Sequence, residues 1–304
     1  AGHDQGAERK AGAGMSKRNP EYDFKWCPGC GDFGVVRGIE LALADRVMRT
    51  GEPIEKTALI AGIGCSGNLV HLQEGPQPYG FHGIHGRALG IAYGIKASRP
   101  DLNVITVGGD GDMLSIGGEH IGPQAKRNVD LTAVVMDNGI YGLTKGQASP
   151  TTLGGVVTST TPYGKLEDAV RPLDLYLAHN VSFIACGVSS KPKDLAKLIG
   201  QAMDHPGFSI VHVMSPCTTY NDTYEALKGN AAKGIDPLAH DVPASHDTSD
   251  WNAALALVKQ PGVPIGVIYK NPNSVPLHQR FAEARERVKP RSRSVEQMLN
   301  ALAI

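Results

Sequence analysis

Short runs of Val, Ile, Leu and Ala recur along the chain, separated by longer stretches whose apolar positions follow helical spacing. The runs at 58–63, 103–107, 131–136, 182–185 and 209–214 predict buried strands, because a strand covered on both faces needs no polar alternation. Between them, 87–98, 115–127 and 191–204 predict helices, the second weakened by Gly117, Gly118 and Pro123. An earlier helix is expected over 32–49, with Gly51 as its C-terminal cap. This order predicts an α/β fold with a mostly parallel central sheet flanked by helices. In such a sheet ligands bind beyond the carboxyl ends of the strands, and that edge is where chemistry is expected. The Gly-, Ser- and Thr-rich segment 143–161 reads as a long loop of the functional or mobile kind. After Asp222 the pattern weakens, then recovers in a strand at 263–269 and a charged helix at 278–288. The expected division is a disordered leader or expression scar at 1–18, a ligand-binding domain at 19–222, and an extension at 223–304 packing on the same domain or on a partner.

Composition adds one anomaly. Of 304 residues 37 are glycine, without the period of collagen, so either loops are long or the backbone must approach a ligand closely. Thirty Lys and Arg balance thirty Asp and Glu, and aromatics are 6% of the chain, which argues against nucleic acid or an anionic membrane as partner. No apolar run approaches the length of a membrane span, and the leader lacks the apolar stretch of a signal peptide. Five unevenly spaced cysteines do not suit a secreted disulfide framework, so a cytoplasmic setting is expected.

Two constellations fall just after predicted strands. Gly108-Gly109-Asp110-Gly111-Asp112 follows one strand, and Asp137-Asn138-Gly139-Ile140-Tyr141-Gly142 ends the next, with Asn138 28 residues beyond Asp110. Asp110 and Asn138 offer oxygen ligands from neighbouring strand ends. A hard cation such as Mg²⁺ is held by that kind of pair together with phosphate oxygens, and the glycines let backbone N–H groups reach the phosphates. The second constellation is sulfur. Trp26-Cys27-Pro28-Gly29-Cys30-Gly31 alone fits a redox pair, half a zinc site or two ligands of an iron–sulfur cluster. Cys65, in Gly62-Ile63-Gly64-Cys65-Ser66-Gly67, and Cys217, in Ser215-Pro216-Cys217-Thr218, raise the set to four thiolates. Four thiolates suit a [4Fe–4S] cluster and a structural zinc equally well. Cys186 ends a strand and reads as a buried small hydrophobe.

The spacing of Asp110 and Asn138 resembles the thiamine diphosphate motif shared by transketolases, pyruvate decarboxylases and 2-oxoacid oxidoreductases. Trp-Cys-Pro-Gly-Cys-Gly, Gly-Ile-Gly-Cys-Ser, His-Gly-Arg-Ala, Gly-Gly-Asp-Gly-Asp, Asp-Asn-Gly-Ile-Tyr-Gly-Leu-Thr-Lys-Gly-Gln and Ser-Pro-Cys-Thr-Thr occur in that order. Together they resemble the β subunit of the 2-oxoacid:ferredoxin oxidoreductases, most of all the 2-oxoglutarate branch, over roughly residues 22–222. The resemblance implies a thiamine diphosphate-binding fold, with Asp110, Asn138 and the backbone carbonyl of Ile140 as Mg²⁺ ligands. It implies Cys27, Cys30, Cys65 and Cys217 as ligands of one [4Fe–4S] cluster. It also implies Ile63, Gly64, Cys65, Ser66, His85, Gly111, Asp112, Gly142 and Leu143 around the thiamine diphosphate.

The activity so implied is CoA-dependent oxidative decarboxylation of a 2-oxoacid, 2-oxoglutarate first and pyruvate or a broader range as the alternative. Electrons would leave through the cluster to ferredoxin. His85, with His82 at the start of a helix, is the candidate to hydrogen-bond the diphosphate or buffer a proton near the thiazolium, and Arg87 and Lys145 are candidates for the substrate carboxylate. No Glu stands in the context expected of the group that activates thiamine. The chain is therefore expected to act only with an α subunit, in αβ pairs assembled as a heterotetramer. The basic run Arg285, Arg287, Lys289, Arg291 and Arg293 reads as a solvated helix end in preference to a docking patch.

Overall fold

A computed structural model describes residues 26–288 and 294–302. The leader 1–18 and Lys289, Arg291 and Arg293 lie outside the described residues. In chain order the elements are α1 (Asp32–Thr50), β1 (Thr57–Ala61), α2 (Leu69–Leu72), β2 (Tyr79–His82), α3 (Ala88–Ser98), β3 (Asn103–Gly109), α4 (Ile121–Arg127) and β4 (Leu131–Asp137). A small hairpin, β5 (Ile140–Tyr141) and β6 (Gln147–Ala148), precedes α5 (Pro172–Ala178), β7 (Phe183–Val188), α6 (Pro192–Asp204) and β8 (Phe208–Met214). The chain continues through α7 (Tyr224–Lys228), β9 (Ala239–Asp241), α8 (Trp251–Val258), β10 (Val263–Lys270), α9 (Leu277–Arg287) and α10 (Val295–Asn300).

Eight strands form one sheet in the order β2-β1-β3-β4-β8-β7-β10-β9. The first six are parallel to one another, whereas β10 pairs antiparallel with β7 and parallel with β9. Each strand end at β1, β3, β4 and β8 therefore opens on the same edge. The five strands read as continuous apolar runs are buried on both faces, and the pleat divides their residues between two layers. Ile60, Ala133, Val135, Ile184 and Ile210 pack under α3, α4, α5 and α8. Leu59, Val134, Met136, Phe183, Ala185 and Val211 pack under α1 and α6. Burial of each such side chain contributes on the order of 1.5–3 kcal/mol, and that sum fixes the sheet from which the edge loops project.

Helix α1 ends as the sequence predicts, with Gly51 at φ 71° and its N–H donating to the Val47 carbonyl. The helix expected over 115–127 is broken instead. A wide π-type turn runs over Gly111–Ile116, a 3-10 turn follows at Gly118–His120, and only Ile121–Arg127 is α-helical. Gly117 sits at the break, where a Cβ would collide with the Asp112 carbonyl oxygen. The segment after Asp222 completes the sheet through β9 and β10, and Ala254, Leu257, Val258 and Ile268 enter the apolar layer. Cys186 lies wholly buried in that layer, and burial pushes its thiol up to about 12.

Candidate functional site

A cleft of about 120 Å³ lies at the carboxyl edge where the ends of β1, β3 and β4 meet. Its walls include Ile63, Gly64, Cys65 and Ser66 after β1, His85 after β2, Asp110, Gly111 and Asp112 after β3, and Asn138, Ile140, Gly142 and Leu143 after β4. The structure thus brings together the residues expected to hold Mg²⁺ and those expected around the cofactor. Gly109, Tyr141 and Thr144 line it as well.

Asp110 is 1% exposed, and burial first, the Asp137 charge second, holds its carboxyl well above the usual carboxylate range. Thr151 Oγ1 lies 2.6 Å from Asp110 Oδ2 and 2.7 Å from Asp137 Oδ1. A hydroxyl has one proton, so it cannot serve both carboxylates as a donor. The site is short of positive charge, and a divalent cation on Asp110 would supply it. Asn138 is held beside it: its side-chain oxygen accepts from the Ile140 N–H at 3.0 Å, and Asn221 Nδ2 donates to its backbone carbonyl at 2.8 Å. Behind this floor, Asp137 Oδ2 is 3.1 Å from His212 Nε2, and Tyr176 OH is 3.2 Å from His212 Nδ1, so the second carboxylate is anchored from below.

Asp112 does something different from its neighbour. Its Oδ1 lies 2.6 Å from His85 Nδ1 and accepts from Gly86 N at 2.7 Å and Ile63 N at 3.0 Å. One buried carboxylate therefore ties the loops after β1, β2 and β3 together. A neutral imidazole that donates from Nδ1 keeps Nε2 as an acceptor, with its side chain 37% exposed at the cleft. His82 ends β2 and approaches His71 at 2.9 Å, and His85 stands in the turn before α3.

Arg87 and Lys145 are not among the cleft's lining residues. The Arg87 guanidinium pairs with Glu119 at 3.0 Å and donates to the Ile116 carbonyl at 2.9 Å. Lys145 is exposed beyond Thr144, in a left-handed backbone conformation at φ 83°.

Four of the five cysteines, Cys27, Cys30, Cys65 and Cys217, stand beside the cleft. Cys27 and Cys30 flank a turn whose Gly29 has φ 79° and in which the Cys30 N–H donates to the Cys27 carbonyl, the form Pro-Gly favours. Thr218 Oγ1 donates to the Pro28 carbonyl and Tyr224 OH to that of Gly29, which pins this turn to the chain around Cys217. Trp26 Nε1 donates to the Cys65 carbonyl at 2.8 Å. From Gly142, a Cβ would stand 3.5 Å from Cys65 Sγ and 3.7 Å from Cys217 Sγ, so the cleft wall and two of the thiols share one contact. Burial, then the Asp32 charge, pushes the Cys65 thiol up to about 11 and the Cys30 thiol higher still, with other thiols of the set adding to each. Asp32 itself is buried with Ser215 and Ser66 as donors, and burial pushes it up to about 6. All five cysteines are free, and among the described residues no three His, Cys, Asp or Glu side chains stand at the spacing of an assembled metal site.

Sequence reasoning missed Thr151, Asp137 and Asp32. Thr151 sits in the segment taken as loop, where Lys165 Nζ donates to the Thr152 carbonyl at 2.8 Å and holds the turn against the sheet edge. Ser149-Pro150-Thr151-Thr152, a cluster of hydroxyls around proline, was the available signal.

A cleft of glycines, two acids and one amide lies at the carboxyl edge of a parallel sheet, and residues 62–213 match the thiamine pyrophosphate enzyme C-terminal TPP-binding domain. Residues 217–286 match the C-terminal family of the pyruvate ferredoxin oxidoreductase beta subunit. The chain is 39% identical over 265 residues to the 2-oxoacid:ferredoxin oxidoreductase subunit beta of Saccharolobus solfataricus, covering 85% of each. It is 42% identical over 213 residues to the 2-oxoglutarate synthase subunit KorB of Archaeoglobus fulgidus, covering 67% of this chain and 76% of the relative. A solved structure, the 2-oxoglutarate:ferredoxin oxidoreductase from Magnetococcus marinus with 2-oxoglutarate, coenzyme A and succinyl-CoA bound, superposes with a TM-score of 0.82. The identity is 40%, and 93% of this chain and 94% of that one are covered. The chain belongs to the β subunits of the 2-oxoacid:ferredoxin oxidoreductases.

Proposed function

We propose that this chain serves the 2-oxoglutarate member of its family, converting 2-oxoglutarate and CoA to succinyl-CoA and CO₂ with electrons passed through a [4Fe–4S] cluster to ferredoxin. The observation that carries this reading is that Cys65 itself lines the cleft with Gly142, and that a Cβ placed on Gly142 would fall within 3.7 Å of both the Cys65 and Cys217 sulfurs, so that cofactor pocket and sulfur ligands stand side by side. Likeness to the Magnetococcus marinus enzyme and to the Archaeoglobus fulgidus KorB favours 2-oxoglutarate over pyruvate.

Thiamine diphosphate bound here would supply the nucleophilic carbon for decarboxylation, and the cluster a one-electron acceptor. Asp110, Asn138 and the Ile140 carbonyl would hold Mg²⁺ on the diphosphate, the cation relieving the charge crowded between Asp110 and Asp137. Gly64 and Gly142 leave room for the phosphates to come close to the backbone. His85, oriented through Nδ1 by Asp112, presents its imidazole at the cleft. Cys27, Cys30, Cys65 and Cys217 are the soft donors an iron–sulfur cluster takes.

The partner is an α subunit, in αβ pairs that form a heterotetramer in the cytoplasm. Two features of the cleft support that partner. Among the described residues its lining has no glutamate, and its volume is below the few hundred Å³ that sites for molecules of cofactor size enclose. Ile63, Ile84, Ile116 and Leu143 are exposed near the cleft, an apolar rim suited to being covered by another chain. Residues 19–222 are read as the cofactor domain and 223–304 as an extension on it, a reading supported by the joining of β9 and β10 to the same sheet. Among the described residues no helix is long and apolar enough to cross a membrane.

The test is anaerobic co-expression with a candidate α partner, iron and sulfide analysis, and a CoA-dependent assay with a viologen acceptor over a panel of 2-oxoacids. The expected result is a brown protein with its highest kcat/KM on 2-oxoglutarate. A colourless zinc protein overturns the cluster assignment, and a tenfold preference for pyruvate overturns the substrate.

A further inference from the structure

The four cysteines stand on three separate turns, and one buried side chain reaches all three. Asp32 opens α1 two residues after Cys30 and is 1% exposed. Its Oδ1 accepts from Ser215 Oγ at 2.6 Å, two residues before Cys217, and its Oδ2 accepts from Ser66 Oγ at 3.3 Å, beside Cys65. The backbone is closed at the same place, where the Gly31 N–H donates to the Pro216 carbonyl at 3.0 Å. A Cβ at Gly31 would meet Ser215 Oγ at 2.6 Å, so the Cys217 turn rests directly on the start of α1.

An exposed acid in the first turn of a helix gains only modestly from the helix dipole, whereas taking a carboxylate out of water costs far more. Helix capping alone does not account for an aspartate buried to this degree. We propose that Asp32 is a positioning residue for the cysteine set: its carboxylate clasps the three turns, and as a fixed negative charge beside them it keeps the reduction potential of an iron–sulfur cluster bound there low. The inference rests on the reading of these cysteines as cluster ligands. Net charge and hydrogen bonding near the sulfurs set cluster potentials, and an anion disfavours the added electron.

Two substitutions separate the clasp from the charge. Asn at position 32 can accept from Ser215 and donate to the Ser66 hydroxyl, so Asp32→Asn keeps the clasp and removes the charge. Asp32→Ala removes both. In the αβ complex at pH 8, Asp32→Asn is expected to keep the wild-type iron and sulfide content while its cluster shifts about tenfold toward the reduced form against a viologen of fixed potential. Asp32→Ala is expected to lose more than half of its iron on gel filtration. A double variant, Ser66→Ala with Ser215→Ala, is expected to fall between them in iron content. An unchanged potential in Asp32→Asn overturns the charge role, and full iron retention in Asp32→Ala overturns the clasp. If the wild-type protein carries zinc and no iron, the cluster reading itself is overturned. The clasp is then decided by alkylation of the metal-free complex: faster modification of Cys30 and Cys65 in Asp32→Ala upholds it, and equal rates overturn it.

Discussion

The two edges of the sheet share the same strands and the same apolar layers, yet they treat buried polar groups in opposite ways. At the amino edge the buried side chains of Asn128 and Lys96 have partners for their polar atoms. Asn128, in a left-handed conformation at φ 49°, accepts from Phe208 N at 2.9 Å and donates to Ser274 Oγ and the Val275 carbonyl. Lys96 is buried against Asp130 at 2.8 Å and the Leu102 carbonyl at 2.7 Å. At the carboxyl edge, Asp110 and Asp137 share one hydroxyl, and Asp112 Oδ2 is buried without a partner. A fold spends its stability where groups are left wanting a partner, and functional sites are where that cost is retained. The contrast marks the carboxyl edge as the place built for something the chain alone does not supply.

The largest expected effect comes from removing that demand. Asp110→Ala should lower Mg²⁺-dependent thiamine diphosphate affinity by more than 100-fold by calorimetry, because the only carboxylate among the proposed ligands is gone. The cofactor-free αβ complex should lose nothing, and Asp110→Asn should gain on the order of 2 kcal/mol in denaturant unfolding as the repulsion from Asp137 disappears. A cofactor-free protein destabilised by both substitutions would put Asp110 among the structural groups of the other edge.

Asn128→Ala is the matching experiment at the amino edge. It strands the Phe208 N–H and leaves Ser274 and the Val275 carbonyl without their donor, at a residue whose backbone is left-handed. A loss of about 2–4 kcal/mol is expected, with cofactor affinity unchanged within twofold. A large change in affinity would show that the edges are not separable.

Glycine gives a smaller and sharper contrast within the carboxyl edge. The sequence suggests that its glycine excess serves close approach to a ligand, and the structure divides that role. A Cβ at Gly62 would collide with the Asp112 carboxylate, and one at Gly111 with the Tyr141 ring, so both are required by the protein itself. A Cβ at Gly142 would make ordinary contact with two sulfurs. Gly62→Ala should cost about 1–3 kcal/mol of stability, and Gly142→Ala less than about 0.5 kcal/mol while still lowering cofactor or cluster occupancy. Equal stability losses at the two positions would remove the distinction.

How far the sequence reaches follows the same division. Strands buried on both faces announce themselves as unbroken apolar runs, and β1, β3, β4, β7 and β8 fall where those runs lie. β2 does not: Tyr79-Gly80-Phe81-His82 is an edge strand with little burial and a glycine inside it. α5 and α8 are too short to show a helical period, although Asp250 caps α8 by accepting from Asn252 N at 2.8 Å and was a visible start signal. Asp110, Asn138 and the four cysteines could be singled out by residue type and spacing, and the fold sets Asp110, Asn138 and Cys65 on one cleft. Thr151 and Asp32 were not, since their roles depend on which turns the sheet brings together. Arg87 illustrates the converse: the residue type suits a carboxylate, and the fold gives it Glu119 instead.

The smallest expected effect is a pH dependence at the amino edge. Ser182 Oγ donates to the Phe208 carbonyl at 2.9 Å, so His205 Nε2, at 3.0 Å, must be the donor to Ser182. His205 Nδ1 is buried with no acceptor, and burial, then the Lys270 charge, lowers the imidazole to about 4 against the opposing pull of Asp130. The unfolded chain takes up a proton near pH 6.5 that the native state refuses until about 4. The stability due to neutral His205 is therefore complete above pH 6.5 and is lost as pH falls through that interval. His205→Gln keeps a donor to Ser182 and does not titrate. Measured by denaturant unfolding, the stability of the wild type relative to this variant should hold constant from pH 8 to 7 and decline toward pH 4. A difference independent of pH would mean that the native state takes up the His205 proton as readily as the unfolded chain, and burial would then not be what holds this imidazole neutral.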